Sequence, residues 1–277
     1  MVKIAFSSDN HFDVNQVDVS QIVTQQAQFL MKQKIDYYVN TGDTFNNFQQ
    51  TLHYFETLQQ LVKLQTKVYF VAGNHDMRRG VTYAELNQDL SPLYLNHKMI
   101  KLAGTNDVLV GNNGWYDYSF ADQFLLKKQV SFQRWKDALW FDGMIAQPLS
   151  DSARMQNELV ILRHQFQQIR QKHQRVILAT HFVPHQNYMI YSYDKPQWDM
   201  INAYLGSRHL EELLNEYRDI VKIVAFGHLH LRDPLQVIDN ITYVHRPVGY
   251  HRGRRLNEWQ SSDFMTEWRN TLTVITL

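Results

Sequence analysis

Short apolar runs alternate with longer amphipathic stretches over the first 80 residues, and each run ends in a cluster of small and polar residues. Val2 to Phe6 is apolar and ends at Ser7-Ser8-Asp9, which predicts a buried strand. Val19, Ile22, Val23, Ala27 and Leu30 then recur at helical spacing. Ile35 to Asn40 predicts a second strand ending at Gly42-Asp43. Leu52, Phe55, Leu58 and Val62 predict a second helix, and Lys67 to Ala72 a third strand ending at Gly73-Asn74-His75-Asp76. A strand–helix–strand alternation of this kind calls for parallel strands joined by right-handed crossovers, whose ligands bind beyond the carboxyl ends of the strands.

The pattern recurs further along. Met99 to Leu102 and Val108 to Val110 predict strands, with a turn at Asn113-Gly114. A helix carrying Leu159, Leu162, Phe166 and Ile169 on one face leads to the strand Val176 to Ala179 and then Thr180-His181. Another, with Leu210, Leu213, Leu214 and Tyr217, leads to Val221 to Phe226 and then Gly227-His228-Leu229-His230. Late strands at Ile241 to Val244 and Thr271 to Leu277 are expected to close a second sheet. There is no internal repeat and no Pro/Gly/Ser linker. The expectation is an α/β protein, a two-sheet α/β sandwich with helices flanking mixed sheets, formed by residues 1–277 as a single domain.

Composition narrows the chemistry. The chain has 277 residues, a hydrophobic fraction of 44% and a formal charge of +1, so nothing marks a general polyanion binder. With no cysteine in the chain, disulfides, thiolate metal sites and a cysteine nucleophile are excluded, and any metal must be held by Asp, Glu, His or Asn. The N-terminal residues lack the charged and apolar regions of a signal peptide, and no apolar stretch approaches the roughly 20 residues that span a bilayer. A cytoplasmic protein without a membrane partner is expected.

The strand-terminal motifs are Asp9-Asn10-His11, Gly42-Asp43, Gly73-Asn74-His75-Asp76, Thr180-His181 and Gly227-His228-Leu229-His230. Asp-x-His and Gly-Asp are each common by chance; their order and their placement after apolar strands carry the signal. In that order they resemble the calcineurin-like metallophosphoesterase family, whose pattern is Asp-x-His, Gly-Asp, Gly-Asn-His-Asp/Glu, His and Gly-His-x-His. The resemblance implies that Asp9, His11 and His230 hold one metal, that Asp43 bridges to a second, and that Asn74, His181 and His228 complete the second site. It further implies a dinuclear-metal-dependent phosphoesterase, in which a metal-activated hydroxide attacks a phosphomonoester or phosphodiester. His75 then protonates the leaving oxygen or stabilises the charge building on the phosphoryl group, and Asp76 orients its ring. Two divalent ions against two carboxylates leave the cluster about two charges positive, which suits a phosphate ester. Oxygen and nitrogen ligation with several histidines fits Mn, Fe, Zn, Co or Ni. Many members of the family carry an acidic residue three positions after the bridging aspartate, where this chain has Asn46.

The remaining candidates are weaker. Eight of the thirteen histidines lie outside the motifs and read as surface or structural residues. His185 and His251 stand out among them, and His185, just after Thr180-His181, is the candidate for a substrate contact. Arg78 and Arg79, and Arg252, Arg254 and Arg255, read as solvated surface with a guanidinium clamp on phosphate as the sharper alternative. Aromatic residues concentrate in Trp115-Tyr116-Asp117-Tyr118-Ser119-Phe120 with Trp135, Trp140 and Phe141, and again from Tyr188 to Trp198, including Tyr191 and Tyr193. Buried core is the default reading. A cap formed by residues 115–150 and 185–206, with a ring available to stack on a nucleobase, is the functional one. Two rival activities follow from the same motifs. One is a non-catalytic metal-binding scaffold. The other is a nuclease acting on nucleic acid, disfavoured by the lack of a basic stripe.

Overall fold

The computed structural model describes residues 1–121, 130–191, 197–232, 234–253 and 256–277. In chain order the principal elements are β1 (Lys3–Ser7), α1 (Val19–Lys32), β2 (Tyr37–Asn40), α2 (Phe48–Val62), β3 (Lys67–Phe70), β4 (Met99–Lys101) and β5 (Asp107–Gly111). Then follow α3 (Phe132–Leu139), α4 (Asp151–Gln171), β6 (Arg175–Ala179), α5 (Arg208–Glu216) and β7 (Val221–Ala225). The chain ends with β8 (Gln236–Ile238), β9 (Ile241–Val244), β10 (His251–Arg252), β11 (Leu256–Asn257), α6 (Phe264–Thr271) and β12 (Thr273–Thr276).

Two mixed sheets result, in the orders β12-β1-β2-β3 and β4-β5-β6-β7-β9-β8. β1, β2 and β3 are parallel, as are β5, β6, β7 and β9; the antiparallel strands β12, β4 and β8 form three edges and parallel β3 the fourth. The near-continuous apolar runs are explained by burial on both faces. Alternate side chains of each strand serve different layers. Ile4, Phe6, Tyr37, Val39, Leu109, Ile177, Ala179, Ile223, Ala225 and Val244 form one cluster between the sheets. Ala5, Tyr38, Val68, Phe70, Val110, Leu178 and Val224 face the helices in a second cluster. This is the α/β sandwich expected from the alternation of apolar strands and amphipathic helices.

Two expectations are corrected. The last strand begins at Thr273, since Thr271 still belongs to α6, and it joins the first sheet antiparallel to β1, with Ile4 opposite Ile275. It therefore does not close the second sheet; the open edge of β1 offered the unpaired backbone groups it satisfies. Asn113-Gly114, read as a turn, is a buried crossing between sheets. The Asn113 side chain accepts from Ala72 N–H at 2.8 Å and its carbonyl accepts from His181 N–H at 3.2 Å. The helix α4 carries Leu159, Leu162, Phe166 and Ile169 on its buried face, as expected, and is capped by Ser150, whose hydroxyl accepts from Ala153 N–H. No helix among the described residues is long and apolar enough to cross a bilayer.

Candidate metal centre

Because both sheets run their parallel strands the same way to one edge, the loops after β1, β2, β3, β6 and β7 meet there. They are tied by backbone hydrogen bonds: Asp9 N–H to Gly42 O at 2.9 Å, His11 N–H to Asp43 O at 3.0 Å and Gly227 N–H to His181 O at 3.0 Å. Asp9, His11, Asp43 and His228 all have positive φ, at 55°, 44°, 59° and 70°. Non-glycine residues adopt this region at a cost, and strain of this kind is held where the surroundings over-determine it, typically at functional sites. The glycines of the motifs allow the close packing. A Cβ on Gly227 would lie 2.6 Å from Asp9 Oδ2, and one on Gly73 would collide with the Asp43 carboxylate.

The donors form two groups that share Asp43. In the first, His230 Nε2 lies 3.1 Å from His11 Nε2 and 3.3 Å from Asp9 Oδ1. In the second, Asn74 Oδ1 lies 3.1 Å from His181 Nε2 and 3.1 Å from His228 Nδ1. Asp43 Oδ2 stands 3.7 Å from His11 Nε2 and 3.4 Å from His181 Nε2, between the two. The ligand atoms of Asp9, His11 and His230, and those of Asp43, His181 and His228, each lie within 4.8 Å of one another. All seven residues singled out as ligands in the sequence are thus brought together.

The outer hydrogen bonds select which nitrogen faces inward. His181 Nδ1–H donates to Thr41 O at 2.8 Å, His228 Nε2–H to Tyr204 O at 3.1 Å and His230 Nδ1–H to Glu258 Oε2 at 2.8 Å. The opposite nitrogen of each ring is then free to act as a ligand, the usual arrangement behind metal-bound histidine.

The donor set fits divalent cations. Asp9 is fully buried and its Oδ2 has no hydrogen-bond partner, nor does His11 Nδ1. Buried polar groups are rarely left so. Burial opposes charge on every member, yet the hydrogen bond and charge of His230 hold Asp9 well below the usual carboxylate range. Burial likewise opposes ionisation of Asp43, but the charge of His181 keeps its pKa low. Against the same burial, Asp43 raises His181 to about 9, and hydrogen bonds to Asp9 and Glu258 raise His230 to about 10. The centre therefore attracts positive charge, in the form of protons when nothing else supplies it.

His75 stands beside this centre and is partly exposed. Its N–H donates to Asp43 Oδ1 at 2.9 Å, and its ring stacks on Phe141 with centroids 4.0 Å apart. Nδ1 lies 2.6 Å from Asn46 Oδ1 and Nε2 lies 3.1 Å from the Tyr250 hydroxyl. Burial lowers the His75 pKa, against the opposing charge of Asp43. Asp76 does not orient this ring, contrary to the expectation. Its carboxylate accepts from the N–H groups of Asp43, Thr44, Phe45 and Gly73 and from the Thr51 hydroxyl. Asp76 thus anchors the loop that carries Asp43, and Asn46 holds the His75 ring.

The other candidates are not among the seven donors. His185 packs on Tyr243 and lies 3.5 Å from Glu211, and His251 stacks on Trp259. The Arg78 guanidinium lies 5.1 Å from the Phe141 ring centroid, next to His75, while Arg79 and Arg252 are exposed. Arg254, Arg255 and Tyr193 lie outside the described residues. Three residues at the centre escaped the sequence reading. Glu258 lies behind His230; Tyr250 has its ring 4.4 Å from His11 and 4.5 Å from His230; and Asp142 accepts from Asn74 Nδ2–H at 2.7 Å. None belongs to a spaced motif, and only the folded chain brings them to the site.

An α/β sandwich with a shared aspartate between two sets of N/O donors defines a dinuclear-type phosphoesterase scaffold. The sequence profile of the calcineurin-like phosphoesterase family matches residues 2–232, and the chain belongs to that family. Among solved structures it is similar to phosphopantetheinyl hydrolase from Mycobacterium tuberculosis, with TM-score 0.69 and 15% identity over 99% of this chain and 95% of that one. It is also similar to a dimetal phosphatase from Danio rerio, with TM-score 0.51 and 11% identity over 89% and 87% of the two chains. At these identities the likeness shows the fold. No curated protein sequence matches.

Proposed function

We propose that this chain is a metal-dependent hydrolase that cleaves a phosphomonoester or phosphodiester. The supporting observation is the meeting of seven N/O donors from five loops around Asp43, with His75 alongside. Asp9, His11 and His230 would hold one divalent ion and Asn74, His181 and His228 a second, with Asp43 common to both. Ions bound there would polarise the phosphoryl group and lower the pKa of water towards neutrality.

The chain's own contribution is positioning and proton transfer. With His75 Nδ1–H donating to Asn46, Nε2 is the nitrogen that gives a proton to the departing oxygen. The Tyr250 hydroxyl shares Nε2 until substrate takes its place. Asp76 keeps the Asp43 loop rigid. We read the chain as one domain in which the described parts of 115–150 and 185–206 form a cap, residues 122–129 and 192–196 lying outside the described residues; Phe141 on His75 and Trp140 stacked on Tyr204 at 5.0 Å support this. Net charge of +1 and the packing of Arg78 on Phe141 favour a compact phosphate ester over duplex nucleic acid.

The test is hydrolysis of p-nitrophenyl phosphate and bis-p-nitrophenyl phosphate by metal-stripped protein reloaded with Mn²⁺, beside His75→Ala. Metal-dependent turnover that falls about 10²–10⁴-fold in the variant, with metal still bound, supports the reading. Equal turnover by both proteins removes His75 from the mechanism, and metal binding without turnover favours the scaffold.

A further inference from the structure

Asn74 poses a problem that carboxylates and imidazoles held by fixed tautomers do not. Its amide is nearly symmetrical in shape, but only Oδ1 can ligate a cation; the flipped amide would aim two N–H groups at it. Oδ1 faces His181 Nε2 and His228 Nδ1, each at 3.1 Å. Nδ2 faces Asp142 Oδ1 at 2.7 Å.

Asp142 is fully buried and lies on the single turn Phe141–Met144 just after α3. The turn is packed tightly, since a Cβ on Gly143 would lie 2.6 Å from Lys136 O. Its neighbours reach the same centre. Phe141 stacks on His75, and Trp140 stacks on Tyr204, whose carbonyl accepts from His228 Nε2–H. A carboxylate accepts and does not donate, so opposite Asn74 it tolerates only the NH₂ end.

We propose that Asp142 is a positioning residue that fixes the Asn74 amide with its oxygen towards the second metal position, and so sets affinity there. The proposal rests on the dinuclear reading above. Outer hydrogen-bond partners of metal ligands typically change affinity about 10–100-fold when removed.

The experiment is Mn²⁺ titration by calorimetry and electron paramagnetic resonance on the full chain, comparing wild type with Asp142→Ala and Asp142→Asn. Asp142→Leu, which restores side-chain volume, replaces the alanine variant if that fails to fold. The wild type is expected to take up two ions and show the signal of a coupled pair. Asp142→Ala should bind its second ion at least about tenfold more weakly and show an isolated-ion signal. Asp142→Asn, which can turn either an oxygen or an NH₂ to Asn74, should fall between wild type and Asp142→Ala. Two ions bound with unchanged affinity by Asp142→Ala overturn the proposal while leaving the dinuclear reading standing. An asparagine variant that binds its second ion as tightly as wild type also overturns it, because an exclusive acceptor opposite Asn74 would then not be what matters. A wild type that binds fewer than two ions overturns the dinuclear reading, and the proposal with it.

Discussion

Asn46 Oδ1 lies 2.6 Å from His75 Nδ1, so a neutral amide, not a carboxylate, orients the candidate proton donor. The amide fixes the tautomer but adds no charge to favour the imidazolium, and burial already lowers the His75 pKa. Asn46→Asp introduces a negative charge at hydrogen-bond distance and should raise that pKa by about 1–2 units. An acid loses activity as pH rises through its pKa. The descending limb of kcat/KM against pH is therefore expected to move to higher pH by a similar amount. An unmoved limb would show that His75 is not the titrating acid.

Asp76 separates loop anchoring from ring orientation. Asp76→Asn places an NH₂ group among backbone N–H donors that the carboxylate now satisfies. The expected loss is about 3 kcal/mol in urea unfolding of the metal-free protein, from hydrogen bonds to a charged acceptor and the donors left unpaired. His75→Ala, at a partly exposed ring, should cost no more than about 1 kcal/mol. Full stability with reduced turnover in Asp76→Asn would restore the role of ring orienter.

Glu258 makes a parallel case at the first metal position. Its Oε2 accepts from His230 Nδ1–H at 2.8 Å and from Tyr250 N–H at 2.7 Å, which couples ligand tautomer to the loop bearing Tyr250. Glu258→Ala should weaken binding of the first ion about 10–100-fold in a Mn²⁺ titration, and Glu258→Gln, which keeps an acceptor, much less. Equal affinity in wild type and alanine variant would reduce Glu258 to a surface contact.

What was legible in the sequence, and what was not, follows from how each feature is encoded. Parallel strands buried on both faces write continuous apolar runs, and ligands in the loops just after them sit in line with those runs; Asp9, Asp43, Asn74, His181 and His228 could all be placed this way. Supporting contacts have no such address. Asn46 meets His75 across 29 residues, Asp142 meets Asn74 across 68, and Tyr250 meets His75 across 175. Asp76 was misassigned because the family resemblance was taken to carry the ring-orienting role over to it, next to His75 in the chain. In the turn Asp76–Arg78 successive side chains point apart, and the Asp76 carboxylate turns towards the Asp43 loop. The final strand was assigned to the wrong sheet for another reason: its alternation predicts a strand, but only the unpaired edge of β1 decides where it pairs.

His245 predicts how the fold responds to acid. It is fully buried, stacks on Phe226 with centroids 4.4 Å apart, and its Nε2–H donates to Leu229 O at 2.6 Å, between the candidate ligands His228 and His230. Burial lowers its pKa from the ordinary 6.5 to about 4. Between those values the unfolded chain binds a proton that the folded chain refuses, so the contribution is complete above pH 6.5 and is lost as pH falls towards 4. At roughly 1.4 kcal/mol per pH unit, about 2 kcal/mol should be gone by pH 5. His245→Gln keeps a donor for Leu229 without a titrating ring. Wild type should therefore be the more stable protein at pH 7 in urea unfolding, and its margin over the variant should shrink by about 2 kcal/mol at pH 5. Comparing the two proteins cancels the protonation of the other site histidines, which both share. A margin that stays constant between pH 7 and pH 5 would show that His245 accepts a proton without cost in the folded chain, and that the Leu229 carbonyl is held by something other than a neutral ring.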